Sequence, residues 1–474
     1  MVKTDTIAAI ATALSDSGIG IIRISGEQAI EIGDSIFRTK SGKRKLKQAE
    51  SHTIHYGYIV DDAVSDDWKN HIVDEVMAVV MKAPRTYTRE DTVEINCHGG
   101  VLVMKKILES VLKHGARMAE PGEFTKRAFL NGRIDLSKAE AVIDVIHSQN
   151  EYALDASVKQ LRGDLAEEIK SLRAKLIYEI AFIESALDDP EHISLDGYQE
   201  RLMKQIKEVI GRIEHFIATA DNGKLMKEGI STVIVGKPNA GKSSLLNLLT
   251  GEEKAIVTDI AGTTRDVIEE YIQLHGIGFR MIDTAGIRST EDVVEKIGVE
   301  KAKKYAKDAD LIIYMVDASV ELDESDREII PLLENKNSIV LLNKSDLESV
   351  VTEEKIKEAI EKLVSGHKNI AVIKTSTKDS SGIEFFENTV KEMFFSGSLK
   401  NNNELVITNM RHKAALQEAC DSLYLVKKSI EDEMPEDFYS IDLMSAYASL
   451  GTIIGEEVEE DLVEEIFSKF CMGK

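Results

Sequence analysis

Cysteine is scarce in this 474-residue chain, and the three present, Cys97, Cys420 and Cys471, are far apart. That spacing excludes a disulfide framework and a zinc-ligand set, and it fits a reducing cytoplasm. Proline is scarce as well, with six residues, so long stretches are free to be helical. No apolar run approaches the length of a membrane span. Met1 to Ser15 alternates polar and apolar residues without a basic region and apolar core, so neither insertion nor export is expected. Positive charge is in deficit: 59 Lys and Arg stand against 83 Asp and Glu, a net −24. Non-specific nucleic-acid affinity rests on cationic contacts, so any RNA contact must be local or supplied by a partner. There is no internal repeat, and the only low-complexity spot is Asn401 to Asn403.

What is present describes a folded, multidomain chain. Apolar residues make up 43% and charged residues 30%, against disorder as the main state, and the length predicts two to four domains. Near the start, strand-type runs at Gly20 to Ile24, Val76 to Met81 and Thr92 to Ile95 mix with a helical stretch at Val101 to Leu112, which predicts an α+β domain. Apolar residues three or four apart from Leu154 to Leu187 predict one long amphipathic helix. A second stripe runs from Leu202 to Ile217, and helical patterns return after Val406. Between the helical blocks, strand runs at Thr232 to Val235, Phe279 to Ile282, Leu311 to Val316, Ile339 to Leu342 and Ala371 to Ile373 alternate with helices, as in a doubly wound parallel sheet. Gln273 to Arg280 reads as a hairpin adding an antiparallel strand. An α/β domain inserted into a helical domain is expected, with seams near Asp221 to Gly229 and Ser396 to Asn403.

The inserted segment carries nucleotide chemistry. GKPNAGKS, Gly236 to Ser243, follows an apolar strand and opens a helical run that begins with Ser244. In such a loop the backbone N–H groups of Asn239, Ala240 and Gly241 turn toward phosphate, Lys242 reaches the β and γ phosphates, and Ser243 ligates Mg²⁺. Asp283, Thr284, Ala285 and Gly286 end the next strand, where Asp283 can hold the Mg²⁺ shell and the Gly286 N–H can sense γ-phosphate. Asn343, Lys344 and Asp346 of NKSD close a further strand. The Asp346 carboxylate can accept both N1–H and N2–H₂ of guanine, a donor pair that adenine lacks. Ser376, Thr377 and Lys378 follow the last strand and could back the guanine ring. Thr258, Asp259, Ile260, Ala261, Gly262, Thr263 and Thr264 supply hydroxyls and bent backbone where a loop must close over γ-phosphate.

Beyond these boxes lie DTIAAIAT and GIGIIRISG near the start, EINCHGG (Glu94 to Gly100), PGEFTKRAFLNGRIDLSKAEAVIDVI (Pro121 to Ile146) and the terminal FCMGK. With them, essentially the whole chain resembles the MnmE (TrmE) family of tRNA-modification GTPases, among the TrmE–Era-like translational GTPases. The resemblance implies an N-terminal tetrahydrofolate-binding and dimerisation domain over 1–120, a helical domain over 121–222 and 396–474, and an inserted Ras-like GTPase domain over 223–395. It implies a homodimer whose GTPase domains meet during K⁺-stimulated hydrolysis. The flavoprotein partner would be MnmG, and the product a carboxymethylaminomethyl group on the wobble uridine of certain tRNAs, its bridging carbon drawn from a one-carbon tetrahydrofolate.

Carried over residue by residue, Asn239, the carbonyls of Thr258 and Ile260, and Thr263 match a K⁺ site, while Ser243 and Thr264 match Mg²⁺ ligands. Glu295 matches the family's catalytic acid, which orients the attacking water. Arg23, Glu94, Arg133 and Lys474 match its folate contacts, and Cys471 matches a cysteine needed for modification; the tail is expected to reach toward the folate-binding face of the partner subunit. Met472 stands where the family usually has isoleucine, and Thr377 where it has alanine. Two rival readings share the GTPase boxes: a regulatory GTPase of ribosome assembly, and a structural scaffold with a vestigial GTPase. The acidic balance and the lack of a basic RNA-binding appendage oppose the first, and the filled phosphate, metal and base positions oppose the second.

Overall fold

The structure is a computed structural model, which describes residues 5–61, 68–189, 191–194, 196–252, 269–274, 277–282, 305–364, 369–395, 405–456, 458, 460–470 and 473. The chain forms two compact units, one of residues 1–143, 160–170 and 451–474, the other of residues 144–159 and 171–450.

The first unit is built on β1 (Ile7–Ile10), β2 (Ser17–Ser25), α1 (Ala29–Ile36), β3 (Phe37–Arg38), β4 (Thr53–Val60), β5 (Ile72–Met81), β6 (Thr92–Gly99), α2 (Val101–Lys113) and β7 (Arg117–Met118). The strands form one sheet in the order β3-β4-β5-β6-β2-β1-β7, antiparallel except for the β1–β7 pair. Side chains alternate across a strand, so Ile22 and Ile24 of β2 and Val93 and Ile95 of β6 share one face and pack in a core with residues of α1 and α2. Arg23 and Glu94 are thereby turned to the other face. There Ile7 and Ala9 of β1 pack with Phe124 from α3 (Glu123–Leu130). The C-terminal segment closes this unit, because Phe467 and Phe470 share a core with Leu136 and Ala139 of α4 (Leu136–His147).

The long helix expected over 154–187 is two helices, α5 (Glu151–Arg162) and α6 (Asp164–Asp188). Gly163 breaks the pattern at φ +104, a left-handed conformation that glycine adopts without steric cost. The apolar stripe passes through the break, which is why spacing alone could not locate it. α7 (Tyr198–Glu228) continues through the expected seam at 221–228 and stops at Gly229. The other expected seam, at 396–403, lies outside the described residues.

The second unit holds β8 (Ile230–Gly236), α8 (Lys242–Glu252), β9 (Glu269–Leu274), β10 (Ile277–Ile282), β11 (Leu311–Asp317), α9 (Glu324–Ile329), β12 (Asn337–Asn343), α10 (Glu353–Leu363), β13 (Ile370–Lys374) and α11 (Ile383–Phe395). Its sheet runs β13-β12-β11-β8-β10-β9, parallel except for β9, which pairs antiparallel with β10 as the hairpin reading expects. On β11, Leu311, Ile313 and Met315 enter one core while Ile312, Tyr314 and Val316 enter another across the sheet. A strand covered on both faces reads as an unbroken apolar run. Helices α12 (Met410–Glu431) and α13 (Glu436–Ile454) follow, then α14 (Glu460–Ser468). Among the described residues, no helix is long and apolar enough to cross a membrane.

Candidate functional site

In an open parallel sheet, ligands bind outside the carboxyl ends of the strands. The phosphate-type loop leaves that end of β8 and enters α8 at Lys242. Asn239 takes a positive φ of +61, which bends the loop, and Ser243 and Ser244 occupy the exposed first turn of α8, where backbone N–H groups have no helical acceptor. Lys242 Nζ donates to the carbonyls of Gly236 and Lys237, at 2.7 Å each, so the ammonium lies within the curl of the loop. Burial lowers its pKa, and an arriving phosphate would supply the counter-charge.

Strand β12 ends beside this loop. Asn343, 1% exposed, donates from Nδ2 to the Ala240 carbonyl at 2.8 Å and accepts the Thr377 N–H on Oδ1 at 3.1 Å. One amide thus ties the phosphate loop, NKSD and Ser376–Lys378 together. Gly241 is needed for the fit: its φ is +104, and a Cβ there would come within 2.2 Å of Asn343 Nδ2. Asp346 accepts from Ser376 Oγ at 3.1 Å and lies 3.9 Å from Lys378 Nζ.

Lys344 pairs with Asp317 at 2.5 Å, and Asp317 also accepts from Ser319 Oγ and N–H. Burial pushes Asp317 up, but Lys344 and Ser319 outweigh it and hold its carboxyl below the usual range. Sequence reasoning missed Asp317; the signal was an acid at the last position of a parallel strand. It also missed Lys237, whose ammonium pairs with Asp326 at 2.7 Å and Asp323 at 3.0 Å, the two capping-box residues of α9. The loop is therefore anchored on both sides of Asn239.

Thr258, Asp259, Ile260, Ala261, Gly262, Thr263, Thr264, Asp283, Thr284, Ala285, Gly286 and Glu295 lie outside the described residues, as do Cys471 and Lys474.

A second cluster lies in the first unit. Arg23 and Glu94 are register partners across β2 and β6, with Nε to Oε1 at 2.7 Å. The Arg23 guanidinium lies 5.6 Å from the Phe124 ring centre and 5.7 Å from that of Tyr87, and the Arg133 guanidinium 4.8 Å from Tyr87. Two of the four expected folate residues, Arg23 and Arg133, thus meet at one aromatic ring, and a third, Glu94, is paired with Arg23. Arg23 Nη1 also donates to the carbonyl of Gly473 at 3.2 Å. Gly473 therefore meets a folate-type residue within its own chain. The contact spans the length of the chain and leaves no trace in local spacing.

A glycine-bent strand-to-helix loop, bound through one asparagine to an NKSD loop on a parallel sheet, defines a GTPase of the P-loop class. A family model described as "GTP-binding protein TrmE N-terminus" matches residues 6–133, and one described as "MnmE helical domain" matches residues 136–471. The chain is 58% identical over 472 residues to the tRNA modification GTPase MnmE of Lachnoclostridium phytofermentans, covering 100% of both chains. It is 50% identical over 474 residues to that of Alkaliphilus oremlandii, covering 99% of both, and 51% over 478 residues to that of Acetivibrio thermocellus, covering 100% of both. This chain belongs to the MnmE family of tRNA modification GTPases.

Proposed function

We propose that this chain hydrolyses GTP and, with the flavoprotein MnmG, adds a carboxymethylaminomethyl group to the wobble uridine of certain tRNAs in the cytoplasm. The observation that carries the GTPase part is Asn343, which holds the phosphate loop and the guanine-type loop in one hydrogen-bonded frame. Full-length identity to tRNA modification GTPases supports the tRNA part. The reading divides the chain at 1–120, 121–222, 223–395 and 396–474.

The donor chemistry fits a hard cation. Ser243 supplies a hydroxyl at the first turn of α8, and with Thr264 it would hold Mg²⁺, whose charge would offset that of the phosphates. Asn239, the carbonyls of Thr258 and Ile260, and Thr263 would hold K⁺. Lys242 binds the phosphates, Asp346 selects guanine, and Glu295 orients water. In the homodimer, paired GTPase domains would supply the enclosure that excludes bulk water. The expected outcome is hydrolysis about tenfold or more faster in K⁺ than in Na⁺ at matched ionic strength, measured as phosphate release. Equal rates would remove the K⁺ role.

The second cluster fits a one-carbon tetrahydrofolate. Two guanidinium groups lie at an aromatic ring and one of them is paired with a carboxylate, a set suited to a flat heteroaromatic bearing donors and to an anionic tail. Cys471 is proposed to act in base modification, with Lys474 completing the folate contacts. The remaining cysteines are unsuited to that role, because Cys97 and Cys420 are buried and burial pushes both thiols up to about 11. A Cys471→Ser variant is therefore expected to take up no iodoacetamide at about pH 7.5 until it is denatured, as read by intact mass. Labelling of the folded variant would contradict the burial.

A further inference from the structure

Tyr271 lies on β9, in the hairpin that the chain forms between the threonine box and DTAG. Its hydroxyl accepts a hydrogen bond from Asn150 Nδ2 at 2.9 Å. The same amide nitrogen donates to the Met226 carbonyl in the last turn of α7 at 2.8 Å, and Asn150 Oδ1 accepts from the Ala153 N–H at the start of α5 at 2.8 Å. Asn150 is 6% exposed, so none of these bonds is open to easy exchange with water. One buried amide thus joins the GTPase hairpin to the ends of two helices.

The ring of Tyr271 has a fitted place. A Cβ at Gly278 would come within 1.7 Å of its hydroxyl, and one at Gly229 within 2.9 Å of its ring. Gly278 is on the partner strand β10, and Gly229 is the junction where α7 hands the chain to β8. The tyrosine is therefore held where the helical chain enters the GTPase sheet. Burial raises the pKa of its hydroxyl, so it stays a neutral hydrogen-bonding group through the physiological range.

We propose that Asn150 and Tyr271 are positioning residues that couple the β9–β10 hairpin to α5 and α7, so that nucleotide state at the hairpin is passed to the helical elements. This rests on reading the chain as a GTPase acting in tRNA modification. The bonds of Asn150 go to protein groups, Tyr271, Met226 and Ala153, and the one to Tyr271 acts by fixing where the hairpin stands against the helices. The bonds of Asn150 give the hairpin and the two helix ends one shared contact, through which a shift at either would act on the other.

The test compares the full-length chain with Tyr271→Phe, which keeps the ring in its cleft, keeps the Asn150 cap and removes only the hydroxyl. Asn150→Ser is the second variant, since serine retains a capping oxygen and removes the amide donor. Each is assayed with its flavoprotein partner and tRNA for GTP turnover and for wobble-uridine product. Hydrogen exchange is followed over 151–162 and 216–228, with GDP and with a non-hydrolysable GTP analogue. In the wild type, exchange at these helix ends is expected to differ between the two nucleotides by about threefold or more. Both variants should keep GTP turnover within about twofold, lose that difference, and form about tenfold less product per GTP hydrolysed. Wild-type-like exchange and product yield in both variants would overturn the proposal, as would a parallel fall in turnover and product. A wild type without GTP turnover would instead overturn the GTPase reading itself.

Discussion

Replacing Asp346 by asparagine is expected to weaken GTP binding about 100-fold, because two charge-assisted hydrogen bonds to guanine, each worth about 1.5 kcal/mol or more, are lost together. Asparagine cannot accept from both N1–H and N2–H₂, but its amide can donate to the carbonyl that xanthine carries at the same position, so the variant should prefer xanthosine triphosphate. The fold should survive. The bonds to the Asp346 carboxylate come from Ser376 Oγ and the outlying Lys378, and an amide oxygen can accept the first. Titration with labelled nucleotides checks both effects, and unchanged GTP affinity would remove NKSD from base recognition. Asn343 has a further part, since its amide bonds Ala240 and Thr377 and holds the two loops together.

Arg23→Met should have the next largest effect. Glu94 would lose its cation on a sheet face where the pair is 16% and 22% exposed, and the Gly473 carbonyl would lose its donor. Removing one partner of a largely buried pair leaves an uncompensated charge, here costing about 2 kcal/mol after allowing for partial exposure. Folate affinity should fall about tenfold or more by calorimetry, and the denaturation midpoint should drop with it. GTP turnover should not change, because β2 belongs to the other compact unit. A variant with full folate affinity would remove the Arg23–Glu94 cluster from that role.

Both sites were legible in the sequence to different depths, for physical reasons. The strands β8, β11 and β12 were plain because each is covered on both faces, and the loops that follow β8 and β12 carry chemistry at fixed distances from strand ends. The break at Gly163 was hidden because the apolar stripe continues across it. α13 was not read at all: Tyr439, Leu443, Ala446 and Leu450 are buried while Phe438, Ile441 and Met444 are exposed, so apolar residues ring the helix and no stripe stands out. Asp317, Lys237 and the Asn150–Tyr271 bond were missed because each matters only through a partner distant in sequence. In isolation a tyrosine on a strand or an asparagine before a helix has no distinguishing mark.

The most direct measurement is mass analysis of wobble uridine in tRNA from a strain lacking this protein, with and without return of the gene. The carboxymethylaminomethyl group is expected to be absent in the deletion, to return with the wild-type chain, and to fail to return with Asp346→Asn or Arg23→Met. Full modification in the deletion strain would contradict this expectation, however active the chain proves as a GTPase.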